Sequence, residues 1–366
     1  MKSSFGQSVN ITITGESHGQ ALVAVLSGLT PGIEIDNEYI RKCLSQRAPV
    51  GEISTPRKEA DEFEILSGVF NGKTTGTPIT VLIRNTNTKS KDYNEMALVA
   101  RPGHADFTAE SKYHGFQDFR GGGHFSGRIT SSLVAAGSIA RLALKKKGIE
   151  IGTHVAKCAG VADRDFENVN EDIKSLNDTY FAVLDSAQGE KMQAEILKAR
   201  ENGDSVGGVL ETAVVGLPAG LGEPWFDSME SVISHLLFSI PGVKGVEFGT
   251  GFGLCDMFGS EVNGSLRVEG GKITPVKDLS GGINGGITNG DVLKFRCAVR
   301  PTPTIFKEQD TVNMKSFENT TLSAKGRHDP AIVHRVRAVV DAAVAIVLCD
   351  MLAQRFGTDW ALEQCG

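Results

Sequence analysis

The sequence predicts an α+β protein in which antiparallel sheets are interleaved with a few long helices. Short β-branched runs with period-two alternation occur in mixed order with well-capped helical segments. Glycine supplies 43 of the 366 residues, about 12% against a usual ~7%, and much of it falls in turns between the strand-like runs. No G-x-G-x-x-G run is present, which removes the dinucleotide-binding crossover and the parallel sheet that comes with it.

Alternating apolar residues predict strands over 9–14 and 21–26, and Asp36 then offers a side-chain acceptor for a helix reaching Arg47. A strand over 79–83 follows. Residues 101–128, RPGHADFTAESKYHGFQDFRGGGHFSGR, hold three histidines, three arginines and the run Gly121, Gly122, Gly123. Glycine lets the backbone come close to a ligand, and Ser126 or Thr130 caps the helix that begins there. A glycine loop leading into a helix N-terminus is an anion site, and histidines beside it suggest acid-base chemistry on a phosphorylated or carboxylated small molecule. Further strands are predicted over 209–215 and 292–299. The run DSME at 227–230 reads as a capping box before Val232, Ile233, Leu236 and Leu237, with Pro241 as the stop. Asp329 and Pro330 open a long C-terminal helix.

Composition bounds the function. The formal charge is -6 and the pI 5.8, whereas nucleic-acid-binding domains usually lie above about 9, so no nucleic-acid partner is expected and an anionic ligand must be held by a local cluster. The six cysteines are scattered without a C-x-x-C pair, and no secretory leader precedes them, which suits ordinary thiols in a reduced, cytoplasmic, soluble enzyme. The uncharged stretch 342–349 is far short of the ~20 residues of a membrane span, so no membrane partner is expected.

An internal repeat shapes the functional argument. Residues 15–33, GESHGQALVAVLSGLTPGI, align without gaps onto 203–221, GDSVGGVLETAVVGLPAGL, with seven of nineteen positions identical. Each copy leads into a capped helix, so the expectation is a single composite domain over 1–366 whose pseudo-related halves lie roughly at 1–150 and 200–366. Val206 stands where the first copy has His18. The turn forms without a histidine, which favours a chemical role for His18.

GESHG also matches the G-x-S-x-G nucleophile elbow, and a serine hydrolase using Ser17 is the rival reading. That elbow needs a strand-turn-helix context in a parallel sheet, but the residues after Ser17 read as a strand in both copies. No H-E-x-x-H or other zinc-type spacing appears, so no metal site is expected. A non-catalytic anion-binding module is the third class in play.

GESHG near the N-terminus, RPGHAD followed by FRGGG and S-x-R-x-T, and GRHDP before the C-terminal helix together resemble the signatures of the chorismate synthase family. The linking pieces SGVFNGKTTGTPI, GLPAGLGEP and VKGVEFG extend the resemblance over essentially the whole chain. It implies a β-α-β sandwich assembled as a homotetramer. The implied reaction is the last step of the shikimate pathway, 1,4-elimination of phosphate from 5-enolpyruvylshikimate 3-phosphate to give chorismate. Reduced FMN is required although the net reaction is redox-neutral. Whether such a chain reduces its own flavin with NADPH or draws on a separate flavin reductase stays open.

By the family pattern His104 is the general acid at the departing phosphate and His18 protonates or hydrogen-bonds the reduced flavin, roles suited to a side chain that titrates near pH 6.5. Asp329 is carried over as the base; it is equally a normal helix N-cap. Arg47, Arg57, Arg128, Arg327 and Arg335 supply guanidinium forks for carboxylate and phosphate, with Ser17 as a hydrogen-bonding support on the substrate side. For Arg335 a solvated helix face is the alternative, and the nearby Arg337, without a family match, is expected to be nearly silent when replaced. The flavin positions are His124, Phe125, Ser126, Pro241, Gly242, Gly285, Arg300, Pro301, Thr302, Pro303, Thr304 and Arg327, with Arg47 shared between flavin and substrate. His124-Phe125, Ile129, Pro241-Gly242 and Arg300 depart from the commoner family pattern. The arginine-rich turn is thinned by Ser45, Gln46 and Glu52.

Overall fold

The computed structural model describes residues 3–55, 61–86, 98–276, 279–323 and 328–362. Two five-stranded sheets form its outer layers. The first contains β1 (Ser4–Phe5), β2 (Asn10–Thr14), β3 (Ala21–Ser27), β4 (Phe63–Ser67) and β5 (Ile79–Arg84), in the spatial order β1-β2-β3-β5-β4. The second contains β6 (Glu150–Cys158), β7 (Val161–Ala162), β8 (Gly208–Val215), β9 (Val243–Phe248) and β10 (Leu293–Val299), in the order β7-β6-β8-β10-β9. Every pairing in both is antiparallel. The predicted strands are present to within a residue or two at each end.

A helical layer fills the space between the sheets, and one further helix covers the other face of the second sheet. α1 (Asn37–Arg47), α2 (Asp106–Tyr113), α3 (Thr130–Lys146), α4 (Val169–Asn177), α5 (Ser186–Glu201), α6 (Met229–Leu237) and α7 (Val333–Phe356) follow in chain order. α3 packs on β3 and β5, α7 packs on β6 and β8, and the two helices pack on each other with α1 beside both. This is the β-α-β layering expected. Apart from Arg335, α7 is buried from Val333 to Ala353, as a helix that is apolar around most of its circumference must be. β3 alternates, with Leu22, Ala24 and Leu26 buried. β8 is covered on both faces: Leu210 and Val214 join the main core, while Ala213 meets Phe166, Ile173 and Leu176 around α4.

The two sheets share a topology. The run β2-β3-α1-β4-β5-α3 is matched by β6-β8-α6-β9-β10-α7, and the spatial orders superpose strand for strand. β3 and β8, the strands of the sequence repeat, are the central strands of their sheets.

Four local expectations need correction. Ser228, extended at φ -60° and ψ 153°, caps α6 by accepting from the Ser231 N–H, whereas Asp227 accepts from the Gln7 side chain. That helix ends at Leu237, well before Pro241, because turns at Ser239 and Ile240 lead directly into β9. α7 starts at Val333 after an Ile332 cap that makes no side-chain hydrogen bond, so Asp329 is not its cap. Finally, Arg337 is fully buried, donating to the Leu176 and Thr179 carbonyls and facing Asp341 at 3.6 Å. It belongs to the middle layer, where Asp341 also takes Arg141 and the Thr153 hydroxyl. By contrast, Asp36 caps α1 through the Tyr39 N–H as expected. Burial pushes the Cys158 and Cys297 thiols up to about 12, which keeps them inert.

Candidate active site

A cavity of about 830 Å³ opens between the N-terminal turns of α3 and α7. Its lining includes Arg47, Arg128, Lys244, Arg300 and Arg335 against the carboxylates of Asp61 and Asp329. Cations therefore exceed carboxylates by three there, inside a chain whose net charge is negative. Such a concentration of guanidinium groups suits a polyanionic ligand.

The anion-facing cluster is built at the start of α3. Ser126 caps the turn Gly127–Ile129 by accepting from the Arg128 N–H, and α3 continues from Thr130. Arg47 reaches across from the end of α1, donating to Thr130 Oγ1 at 2.9 Å and to the Gly127 carbonyl at 2.8 Å. Asp61 accepts from both Arg47, at 3.1 Å, and Arg128. All three side chains are buried, and two guanidiniums on one carboxylate leave the trio with net positive charge. Arg128 also donates from Nε to Asn85 Oδ1 at 3.1 Å.

Asp329 lies on the approach to α7. Its Oδ1 accepts from the Thr55 N–H at 2.8 Å and its Oδ2 from Arg335 at 2.7 Å. Arg335 in turn donates Nε–H to the Arg47 carbonyl at 2.8 Å. Arg335 is thus neither on a solvated face nor independent of Asp329; the two line the cavity as a pair.

His104 shares a carboxylate with Arg101. Asp106 Oδ1 accepts from His104 Nδ1 at 2.9 Å, and the Arg101 fork meets both Asp106 oxygens at 2.7 Å. Burial alone would raise the Asp106 carboxyl, but the hydrogen bonds and charges of Arg101 and His104 outweigh it and hold the group well below the usual carboxylate range. His104 Nδ1 also lies 3.0 Å from Arg101 Nη2, so the Arg101–Asp106 pair orients the ring through Nδ1 and leaves Nε2 as its outward nitrogen.

The glycine run explains how the histidines meet. Gly121 and Gly122 have φ of 60° and 86°, the left-handed region that favours glycine. A Cβ at Gly121 would collide with the His18 ring and the Ser17 hydroxyl, and one at Gly122 would lie 3.2 Å from His104 Cε1. Consecutive glycines therefore seat the two rings. The turn carrying His18 is tied down on three sides: Ser17 N–H donates to the Gly123 carbonyl, His124 Nδ1 to the Gly15 carbonyl at 2.8 Å, and Asn85 Nδ2 to the Glu16 and Gly19 carbonyls.

Most of the sequence-derived site residues converge here. His104, His124, Phe125, Ser126, Pro241, Gly242, Arg300, Thr302, Pro303, Thr304, Asp329, Arg47, Arg128 and Arg335 line the cavity. Ser17 and His18 stand behind Gly121, with Ser17 fully buried. That burial, and the antiparallel strand β3 that follows, remove the nucleophile-elbow reading. Arg300 donates to the Gly103 carbonyl at 2.8 Å and so braces the His104 loop. Pro301 does not line the cavity, nor does Gly285, which turns a hairpin (Ile283–Asn284 with Ile287–Thr288) against Ser228 and Met229 at the far end of α6. Arg57 and Arg327 lie outside the described residues. His114 terminates α2 in the left-handed conformation and does not line the cavity. Among the described residues no cluster of three or more His, Cys, Asp or Glu could hold a metal ion.

Sequence reasoning missed Asp61, Asn85 and Lys244. Asp106 is legible from its place two residues from His104, as the partner of a loop-stabilising histidine. The others carry no local signal, because their partners or neighbours in the cavity come from distant segments.

Comparison with known proteins places the chain. The family model described as chorismate synthase matches residues 9–353. Chorismate synthase of Aeropyrum pernix is 42% identical over 355 residues, covering 97% of this chain and 93% of that protein. The enzyme of that name from Lachnoclostridium phytofermentans is 45% identical over 352 residues, 96% and 95% of the two chains. A solved structure titled "Crystal Structure of Chorismate Synthase" superposes with a TM-score of 0.77 at 29% identity, over 97% of this chain and 94% of that one.

Proposed function

This chain belongs to the chorismate synthase family, and from that premise we propose that it removes phosphate from 5-enolpyruvylshikimate 3-phosphate by 1,4-elimination to give chorismate, with reduced FMN bound beside the substrate. One observation carries the proposal: a histidine oriented by an Arg101–Asp106 pair stands at a cavity whose cations exceed its carboxylates. The substrate has two carboxylates and a phosphate, and Arg128, Arg47 and Arg335 are the groups that answer that charge. His104, oriented at Nδ1 by Asp106 and Arg101, presents Nε2 for proton donation to the departing phosphate.

A planar, partly apolar cofactor with an anionic tail fits the same cavity. Ile11, Ile13, Leu133, Ile240 and Val336 form an apolar wall, and Lys244 and Arg300 supply cations. The flavin positions implied by the family motifs, except Gly285, Pro301 and the undescribed Arg327, lie on this lining. When bound, reduced FMN supplies the electron-rich ring that makes loss of an unactivated ring hydrogen feasible. Asp329, oriented by Thr55 and Arg335, accepts that proton. His18, seated against Gly121, holds a proton on the flavin side. Homotetramer assembly and a reduced cytoplasmic setting belong to the same proposal, as does flavin reduction by NADPH or by a separate reductase.

The test is an anaerobic assay with photoreduced FMN, in which phosphate and chorismate should appear together over many turnovers without stoichiometric consumption of reductant. Steady phosphate release under air with oxidised FMN and no reductant overturns the reading.

A further inference from the structure

We propose that Asn85 is a positioning residue that holds two separate parts of the site in register: the turn carrying His18 and the guanidinium of Arg128. The inference rests on the function proposed above. Asn85 lies one residue beyond β5, and its backbone N–H donates to the Gln20 carbonyl at 3.1 Å, fixing it beside the first turn. Its side chain is committed at both ends. Nδ2 donates to the Glu16 carbonyl at 3.0 Å and to the Gly19 carbonyl at 2.9 Å, bracketing His18. Oδ1 accepts from Arg128 Nε at 3.1 Å.

Only a primary amide satisfies this arrangement. Two carbonyls require a nitrogen with two hydrogens, and a guanidinium requires an acceptor. The opposite amide orientation would set oxygen against two carbonyls and nitrogen against a cation. A carboxylate would oppose the carbonyls, and an alanine would leave three polar groups without this partner. Arg128 is held on its Nη1 side by Asp61 and on its Nε side by Asn85, so the amide sets the plane of the guanidinium as well as its reach. The His18 turn is held by the glycine run on one side and by Asn85 on the other. A single side chain thus links the placement of the proposed flavin-side histidine to that of the proposed anion ligand.

The experiment measures kcat, KM and the calorimetric Kd for 5-enolpyruvylshikimate 3-phosphate on wild type, Asn85→Ala and Asn85→Asp, with reduced FMN for the kinetics. Loosening both partners in Asn85→Ala should raise KM and Kd and lower kcat, each by roughly ten- to a hundredfold, the scale of a misplacement on the order of 1 Å. The isosteric Asn85→Asp should be worse than Asn85→Ala in Kd, since its charge offsets Arg128 while its oxygens oppose the turn; a space-filling role would give the reverse order. Double variants separate the two arms. In a His18→Ala background Asn85→Ala should keep its effect on Kd and lose most of its effect on kcat, and in an Arg128→Ala background the opposite should hold. Kinetic constants and Kd within twofold of wild type in Asn85→Ala, or effects multiplying fully in both backgrounds, overturn the inference alone. A wild-type protein that makes no chorismate overturns the proposed function and this inference with it.

Discussion

The turns before the two central strands occupy equivalent places and do different work. Residues 15–19 precede β3 and carry His18; residues 203–207 precede β8 and carry Val206. Each turn grips the loop that leads from its own sheet into the middle layer. The first takes the Gly123 carbonyl and His124 on the way to α3. The second donates Val206 N–H to the Pro330 carbonyl and the Ser205 hydroxyl to the Thr302 carbonyl on the way to α7. In the first half the turn therefore brings an ionisable group to the site, and in the second it only braces the segment that carries Asp329. Under the proposed roles, the same backbone device is decorated for chemistry once and kept as scaffold once, a way to graft function onto a repeated fold.

The sharpest way to break this comparison is to make the first turn resemble the second. His18→Val should lower turnover by about 10²- to 10⁴-fold, the usual size of an acid-base contribution, with the melting temperature nearly unchanged because the turn keeps its backbone bonds. Retained turnover in that variant would show the two turns to be equivalent.

Next in size is the contrast between arginines at the entries to the middle layer. Arg337 sits fully buried among Leu176, Thr179 and Asp341, so Arg337→Ala should cost about 3 kcal/mol or more in a urea unfolding curve, as removal of one member of a buried charge network does. Arg128→Ala should act mainly on the ligand, weakening substrate binding by roughly 1.5 to 3 kcal/mol in calorimetry. Equal stability losses in the two variants would erase the distinction between site and scaffold arginines.

The smallest effect concerns pH. His154 on β6 is buried between Asp163 at 2.8 Å and Glu211 at 3.2 Å. Burial lowers its proton affinity, but the hydrogen bonds and charges of both carboxylates win and raise it. A histidine whose folded pKa is raised contributes stability that is complete below its unfolded value, about 6.5, and is lost as pH rises through the folded value. The melting temperature of wild type should therefore fall relative to that of His154→Gln as pH is raised from 6 through the alkaline side. Parallel curves for wild type and His154→Gln would remove His154 from the account.

How much of this was legible in the sequence depended on range. The strands, the Asp36 cap and the Ser126 cap follow from neighbouring residues, and each could be read from periodicity or a single side chain. The α7 entry misled because Asp-Pro is a normal helix start, yet the carboxylate is drawn off by Thr55, 274 positions away. Arg337 misled because its carbonyl partners come from the end of α4 and the turn that follows it. The glycine run was legible as a place of close approach, but what approaches is His18 from a turn a hundred residues earlier. Asn85 and Asp61 gave no signal, since an amide or carboxylate announces its partners only when the chain is folded.

The Thr55 to Asp329 bond and the grip of Asp350 on the backbone N–H groups of Gln7, Ser8 and Val9, up to 343 positions apart, set the order of events at birth. Contacts this distant must close very large loops, which makes assembly slow and late. A nascent chain that has released both sheets but still holds Val333–Phe356 in the ribosome lacks half of its middle layer and one wall of the cavity. The cavity is therefore completed only when α7 packs, and a product of interrupted synthesis that stops before Val333 lacks Arg335, Val336 and Val339 from its lining.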